Sequence, residues 1–256
     1  MADPIIQVTN LRKVYRIGDQ KVVALNNINL TINEGEICCL LGTSGSGKST
    51  LLNMMAGLEK PTKGSIVIAG ANIEKLTEKQ LANFRQANVG FVFQSYNLLP
   101  SMTALENVAM PLLFTGVDRK SRSKAAKEIM KSVGLDKHIN HKPTQMSGGQ
   151  QQRVGIARAF VNLPKIVFCD EPTGNLDSKT TLEVMAIIIQ LAKKHHQTLI
   201  IVTHDPSIAS YADRIVHILD GNVSKVEENQ NPTKPLIPDE VKELEKETQK
   251  DTVMKE

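Results

Sequence analysis

The sequence has no tryptophan, and aromatic residues make up only 4% of it. An aromatic platform for stacking single-stranded nucleic acid is therefore poorly supported. No stretch approaches the eighteen or so uncharged apolar residues that a membrane-spanning helix needs. The N-terminus, Met-Ala-Asp-Pro-Ile-Ile-Gln, has neither the basic nor the apolar region of a secretory signal. These absences lead us to expect a protein that stays in the cytoplasm. Cysteine is scarce as well: Cys38, Cys39 and Cys169 are the only three, and each sits in an apolar run. An odd count in strand-like positions favours buried thiols over disulfides or a metal site.

What is present is ordinary for a globular protein: 256 residues, 41% hydrophobic and 23% charged, enough for one large domain or two small ones. The net charge of +4 is unevenly spread. Residues 227–256 hold nine acidic and five basic side chains, a net of −4, which leaves +8 on the rest. Mild basicity suits nucleic acid or an anionic membrane face. It suits a solvated surface around a nucleotide site equally well.

Apolar runs alternate with helix-like segments, the pattern of an α/β sheet. Ile37–Leu41 reads as a strand. A helix is expected from about Lys48, with Leu51, Leu52, Met55 and Leu58 on one face. Further strands are expected at Gly64–Ala69, Val89–Phe93, Ile166–Cys169, Thr198–Val202 and Arg214–Leu219. Asp220-Gly221 then signals a hairpin into Val223–Val226. Between Gln94 and Ser147 the pattern turns helical, with helices expected at Thr103–Leu113 and Ser121–Val133. This reads as a helical insertion spanning about residues 95–160. After Val226 the chain is polar and carries Pro232, Pro235 and Pro238. A charged helix over Glu240–Lys250 would have only Val241 and Leu244 to bury, so 227–256 is expected to be a flexible extension to a domain of residues 1–226.

The chemistry begins at Gly42-Thr-Ser44-Gly45-Ser46-Gly47-Lys48-Ser49-Thr50, directly after the first strand of the sheet. Gly-x4-Gly-Lys-Ser is the phosphate-loop pattern. Its glycines let consecutive backbone N–H groups turn inward, and the following helix adds its positive end. Lys48 is placed to reach the terminal phosphates of ATP and the Ser49 hydroxyl to ligate Mg²⁺. The run Ile166-Val-Phe-Cys-Asp170-Glu171 ends in two carboxylates. Alone, such a pair is as easily a surface feature. Beside a phosphate loop, Asp170 fits the Mg²⁺ shell and Glu171 a general base for water.

Ser147-Gly148-Gly149-Gln150 opens another helical run. In isolation it reads equally well as a helix cap. One γ-phosphate does not need two cradles from one chain, so the economical reading is that this loop serves a nucleotide held by a second copy.

The three motifs in this order resemble the nucleotide-binding domain of an ABC ATPase over roughly residues 4–226. The resemblance implies a P-loop NTPase core with a mainly parallel sheet, an N-terminal antiparallel β-subdomain and the inserted helical subdomain. It also implies roles for single residues. Tyr15 corresponds to the aromatic that stacks on adenine, with packing on an edge strand as the alternative. Gln94 corresponds to the glutamine that touches Mg²⁺ and the attacking water. Asp177 lies in the loop that crosses the dimer interface, and His204 contacts the γ-phosphate. His195 and His196 are expected to be solvated. With every catalytic position filled, an active ATPase is expected, working as an ATP-bound head-to-tail dimer.

ABC ATPases power transporters, remodel DNA or act on the ribosome. Only about fifty residues separate Gln94 from Ser147, with no sustained heptads, so the long coiled coil of the chromosome type has no room. The ribosome type carries two motors in tandem, and this chain has one. Finer similarity, in Phe91-Val-Phe-Gln94-Ser-Tyr-Asn-Leu-Leu-Pro100 and in Glu171-Pro-Thr-Gly-Asn-Leu-Asp-Ser178, is to the macrolide-export and lipoprotein-release subfamily. That implies a membrane permease partner, contacted near Tyr96–Leu99, and a place on the cytoplasmic face of the membrane. The same apolar segment would also serve to pack the helical subdomain. A soluble ABC ATPase acting on nucleic acid is the alternative, although no direct nucleic-acid contact is expected.

Overall fold

The structure, a computed structural model, describes residues 4–235. The segment Glu240–Lys250 lies outside the described residues. The chain divides into two compact units. One holds residues 4–91, 164–172 and 192–234, and the other holds 92–163 and 173–191.

The first unit contains two sheets. Strands β1 (Pro4–Ile17), β2 (Gln20–Asn33), β4 (Lys63–Ile68) and β5 (Ala71–Asn72) form an antiparallel sheet in the order β2-β1-β4-β5. The second sheet draws on β3 (Ile37–Leu41), β6 (Val89–Val92), β7 (Ile166–Asp170), β8 (Thr198–Thr203), β9 (Arg214–Leu219) and β10 (Asn222–Glu228), in the order β10-β9-β3-β8-β7-β6. Strand β3 pairs parallel with both β8 and β9, and β7 pairs parallel with β8. Only the terminal hairpin β9–β10 is shown to be antiparallel. The α/β class with a mainly parallel sheet and an antiparallel N-terminal sheet is thus as expected.

The sequence dictates which strands are central. Ile37-Cys-Cys-Leu, Ile166-Val-Phe-Cys and all of Thr198–Thr203 are buried without polar alternation, as strands covered on both faces must be. Ile6, Leu11, Ile32, Leu40, Phe168 and Ile200 pack in one cluster with Leu51, Leu52 and Met54 of helix α1 (Lys48–Met55). Each such burial contributes roughly 1.5–3 kcal/mol. The three cysteines are free, buried thiols, and burial pushes the Cys39 thiol up to about 12.

Helix α1 is shorter than the apolar spacing suggests. It ends at Met55, because Gly57 takes a left-handed φ of 66° and caps the turn. Leu58 therefore lies outside the helix, 47% exposed. Strand β10 runs to Glu228, past Val226, and the next residues are tied back: Asn229 Nδ2 donates to Ser210 O and Ala212 O at 3.0 Å, and Thr233 N to Ser210 O at 2.9 Å.

The second unit is helical. It contains α3 (Ala104–Phe114), α4 (Arg119–Ser132), α5 (Gly148–Phe160) and most of α6 (Ser178–Lys194); α2 (Glu78–Asn88) and α7 (Pro206–Ala209) belong to the first unit. Thr103 and Glu106 form a reciprocal cap at the start of α3. Asp118 caps α4, which begins two residues before the expected Ser121 because the cap, rather than the apolar pattern, sets the start. Val108, Met130, Val154 and Phe160 are fully buried on these helices.

Candidate functional site

The loop after β3 is built by sterics. Gly47 sits at φ 102° as the N-cap of α1, and Gly45 at 78°. A Cβ on Gly42 would meet the Ile218 carbonyl oxygen at 2.2 Å, and one on Gly47 the Ala24 carbonyl oxygen at 2.7 Å. Lys48 is only 4% exposed and its Nζ donates to Thr43 O at 2.7 Å, so the ammonium is curled over its own loop. Ser46 Oγ is buried with no hydrogen-bond partner.

The end of β7, one strand beyond β8 in the sheet, delivers the carboxylates. Strand β7 ends at Asp170, whose Oδ1 accepts from Ser49 Oγ at 2.9 Å. Burial raises the Asp170 carboxyl above its ordinary value and the nearby Glu171 adds to this, while the Ser49 bond and Lys48 oppose it. Glu171 has a φ of 44°, a left-handed conformation rare for a long side chain, pinned by its N–H donating to Val202 O at 3.0 Å. Such strain of about 1–3 kcal/mol gathers at functional sites. His204, just past β8, places Nδ1 3.3 Å from Glu171 Oε1 and is 62% exposed at its side chain.

Tyr15 lies beside this loop. Its hydroxyl donates to Glu59 Oε2 at 2.7 Å, and Lys13 Nζ stands 4.9 Å from its ring centroid. Burial and the Glu59 bond raise the phenol, with Thr50 hydrogen bonding against them.

The remaining candidates belong to the helical unit. Ser147 caps α5: its Oγ accepts from Gln150 N at 3.3 Å, and its N–H donates to Gln150 Oε1 at 3.0 Å. The two glycines between them lie close against neighbouring side chains. A Cβ on Gly148 would lie 2.9 Å from Tyr96 Oη, and one on Gly149 would lie 2.6 Å from Thr180 Cγ2. Asp177 Oδ1 and Oδ2 accept from Thr180 N at 3.0 Å and Thr180 Oγ1 at 2.7 Å, and these bonds hold its carboxyl low. Gln94 O accepts from Asn175 Nδ2 at 3.1 Å, with the Gln94 side chain against Gly174. Tyr96 and Asn97 are both left-handed, and the Arg158 guanidinium donates to both their carbonyls. In the segment that follows, Leu99 is 44% exposed.

The ABC transporter family model matches residues 25–174. The chain belongs to this family. It is 48% identical over 219 residues to the lipoprotein-releasing system ATP-binding protein LolD of Geobacter metallireducens, covering 86% of this chain and 97% of that one. It is 46% identical over 223 residues to the macrolide export ATP-binding/permease protein MacB of Rhodopirellula baltica, covering 86% of this chain but spanning only 33% of that protein. Among solved structures, a dimeric post-hydrolysis state of the ATP-binding cassette MJ0796, bound to ADP and Pi, aligns with a TM-score of 0.83 at 42% identity, over 88% of this chain and 99% of that one.

The residues of this ABC cassette suit a nucleotide and a cation. The loop has a backbone curl that a Cβ would fill, a buried cation in Lys48, and an orphaned hydroxyl in Ser46. Ser49 and Asp170 offer hard oxygen donors 2.9 Å apart, as Mg²⁺ prefers.

Some supports of the ABC motifs escaped sequence reasoning. Gly221 N donates to Ser46 O at 2.9 Å and Asn26 N to Gly221 O at 2.8 Å, so the β9–β10 turn braces the phosphate loop. The Asp-Gly pair signalled a turn, but nothing local tells what a turn will touch. Buried Asn107 clips Leu99 through N–H and C=O bonds of 2.8 and 3.1 Å. An asparagine in a helix reads as solvent-facing, so it gave no signal.

Proposed function

We propose that this cassette hydrolyses Mg-ATP as the ATPase subunit of a membrane export or lipoprotein-release machine, working as a head-to-tail pair. The observation that carries the reading is the bond between Ser49 and Asp170, with Lys48 and Glu171 both acting electrostatically on that Asp170 carboxyl. The backbone N–H groups of 42–50 and the Lys48 ammonium bind the phosphates, the Thr50 turn follows them, and Tyr15 offers a ring to adenine. Ser49, Asp170 and Gln94 would hold Mg²⁺, which when bound neutralises charge on the phosphates. Glu171 accepts a proton from the attacking water, and His204 steadies its Oε1 and reaches the γ-phosphate. Ser147, Gly148, Gly149 and Gln150 of a second copy, with Asp177 at the seam, complete the enclosure. ATP thus favours the paired state, and hydrolysis releases it.

The relatives' names support a membrane permease partner. Tyr96–Leu99, left-handed at its start and apolar at its end, is the segment we assign to that contact. Among the described residues no helix is long and apolar enough to cross a membrane. Attachment at the cytoplasmic face would therefore run through the permease.

The experiment is Glu171→Gln, which keeps the shape and removes the base. ATP binding should persist, turnover should fall by at least about 10²-fold, and an ATP-bound dimer should accumulate on size-exclusion chromatography. Parent-level turnover would remove Glu171 from the role. Stimulation of the parent by a co-purifying membrane protein, rather than by DNA or RNA, tests the transport half of the reading.

A further inference from the structure

We infer that His138 is a positioning residue for the Ser147–Gln150 loop, acting as a neutral imidazole that carries its proton on Nδ1. The inference rests on the reading that this loop closes over a nucleotide.

The tautomer follows from the hydrogen bonds. Ser147 N–H donates to Gln150 Oε1 at 3.0 Å, which assigns the amide: its oxygen faces the cap and its nitrogen points away. That nitrogen, Nε2, lies 3.2 Å from His138 Nε2. An amide NH₂ has no lone pair to offer, so the imidazole nitrogen must accept, and its proton resides on Nδ1. One side chain, Gln150, therefore ties the cap of α5 to His138.

His138 is itself well supported. It ends the short turn Asp136–His138, and its N–H donates to Leu135 O at 3.0 Å. The turn is tied to the start of α3 through Ala104 N to His141 O at 2.8 Å and Leu105 N to Ile139 O at 3.0 Å. The His138 and His141 rings meet edge to face, 5.0 Å between centroids. The Nδ1 atoms of both are buried without a hydrogen-bond partner.

A second proton on His138 would have to enter at Nε2, setting N–H against the Gln150 NH₂. The bond would be replaced by a donor–donor contact. The titratable and charged groups around this turn are Asp136 and Lys137 on the turn itself, His141 and Lys142 after it, and Lys131 at the end of α4. Glu106 at the start of α3 is already bonded to Thr103, and α5 brings neutral Gln150 and, further along, Arg153. The grip on the loop therefore requires His138 Nε2 to be without a proton.

The test uses the full chain carrying Glu171→Gln and measures the ATP midpoint for dimer formation by light scattering between about pH 5 and 8, the span in which histidine changes charge. Two variants are compared with this parent. His138→Gln offers an amide oxygen to Gln150 and does not titrate, whereas His138→Leu removes the acceptor. At the alkaline end His138→Gln should match the parent, and His138→Leu should need roughly fivefold more ATP, the loss of one hydrogen bond. Toward acid the parent's midpoint should rise while that of His138→Gln rises less. An identical acid response in parent and His138→Gln would overturn the inference while leaving the dimer reading intact. If His138→Leu unfolds early in a thermal scan, the His138→Gln comparison alone decides. A parent that forms no ATP-dependent dimer at any pH would overturn the underlying reading, and this inference with it.

Discussion

Replacing Gly221 with alanine measures how firmly a distant turn holds the phosphate loop. Gly221 has a φ of 72°, and a Cβ there would meet Ala24 O at 2.6 Å, Ala24 C at 3.1 Å and Leu25 Cα at 3.2 Å. All three are backbone atoms, so no side chain can rotate away. The left-handed conformation alone costs alanine about 1–2 kcal/mol. Moving the turn to relieve the contact stretches Gly221 N to Ser46 O and Asn26 N to Gly221 O, 2.9 and 2.8 Å, each worth about 1 kcal/mol. The sum is roughly 3–4 kcal/mol. At about 2–4 °C per kcal/mol for a chain of this size, the melting temperature should fall by roughly 6–16 °C. Because Ser46 is released, ATP affinity should fall about tenfold, the equivalent of one such bond and a little more. The control is Gly18→Ala: φ is 59° there too, but nothing lies within 4 Å. It should lose only the conformational part, with ATP affinity unchanged. Calorimetric ATP titration and thermal unfolding of both variants give the comparison. If Gly221→Ala behaves like Gly18→Ala in both assays, the turn does not brace the loop.

Three further outcomes follow from the site. Burial, seconded by Glu171, raises the Asp170 carboxyl, so its contribution to stability is fully present below the unfolded value and lost as pH rises through the folded one. Without nucleotide, Asp170→Asn should therefore melt at or above the parent temperature near neutral pH, with a flatter pH profile, while losing Mg²⁺-dependent ATPase activity; a lower melting temperature would contradict this. Tyr15→Phe should keep ATP affinity and Tyr15→Ala should lose about 1–3 kcal/mol of it by fluorescence titration, if the ring rather than its Glu59 bond matters. Lys48→Ala should weaken Mg-ATP binding by roughly 10- to 100-fold, the worth of a charged hydrogen bond, and unchanged binding in calorimetry would remove Lys48 from the phosphate site.

Several of these residues were legible because their chemistry is local. Gly42–Ser49 must be contiguous, since a phosphate cradle is made of successive backbone N–H groups. Asp170 and Glu171 announce themselves by ending a strand buried on both faces, and Ser147 and Gln150 sit three apart because a reciprocal helix cap needs that spacing. Helix ends were less legible: α1 ends at Met55, closed off by left-handed Gly57, although Leu58 continues the apolar spacing, because a left-handed glycine outranks periodicity.

Local chemistry, then, determined that this chain carries a phosphate loop on an α/β sheet. Apolar runs without alternation determined that its strands are central. Only the tertiary structure decided what braces those pieces. Gly221 reaches Ser46, His204 reaches Glu171 and His138 reaches Gln150 because strand order and turn placement bring together residues that no short window contains. The left-handed φ of Glu171 likewise depends on Val202 of a neighbouring strand. A motif is written in consecutive residues because its ligand reads the backbone, whereas its supports are written in pairings, which exist only once the chain has folded.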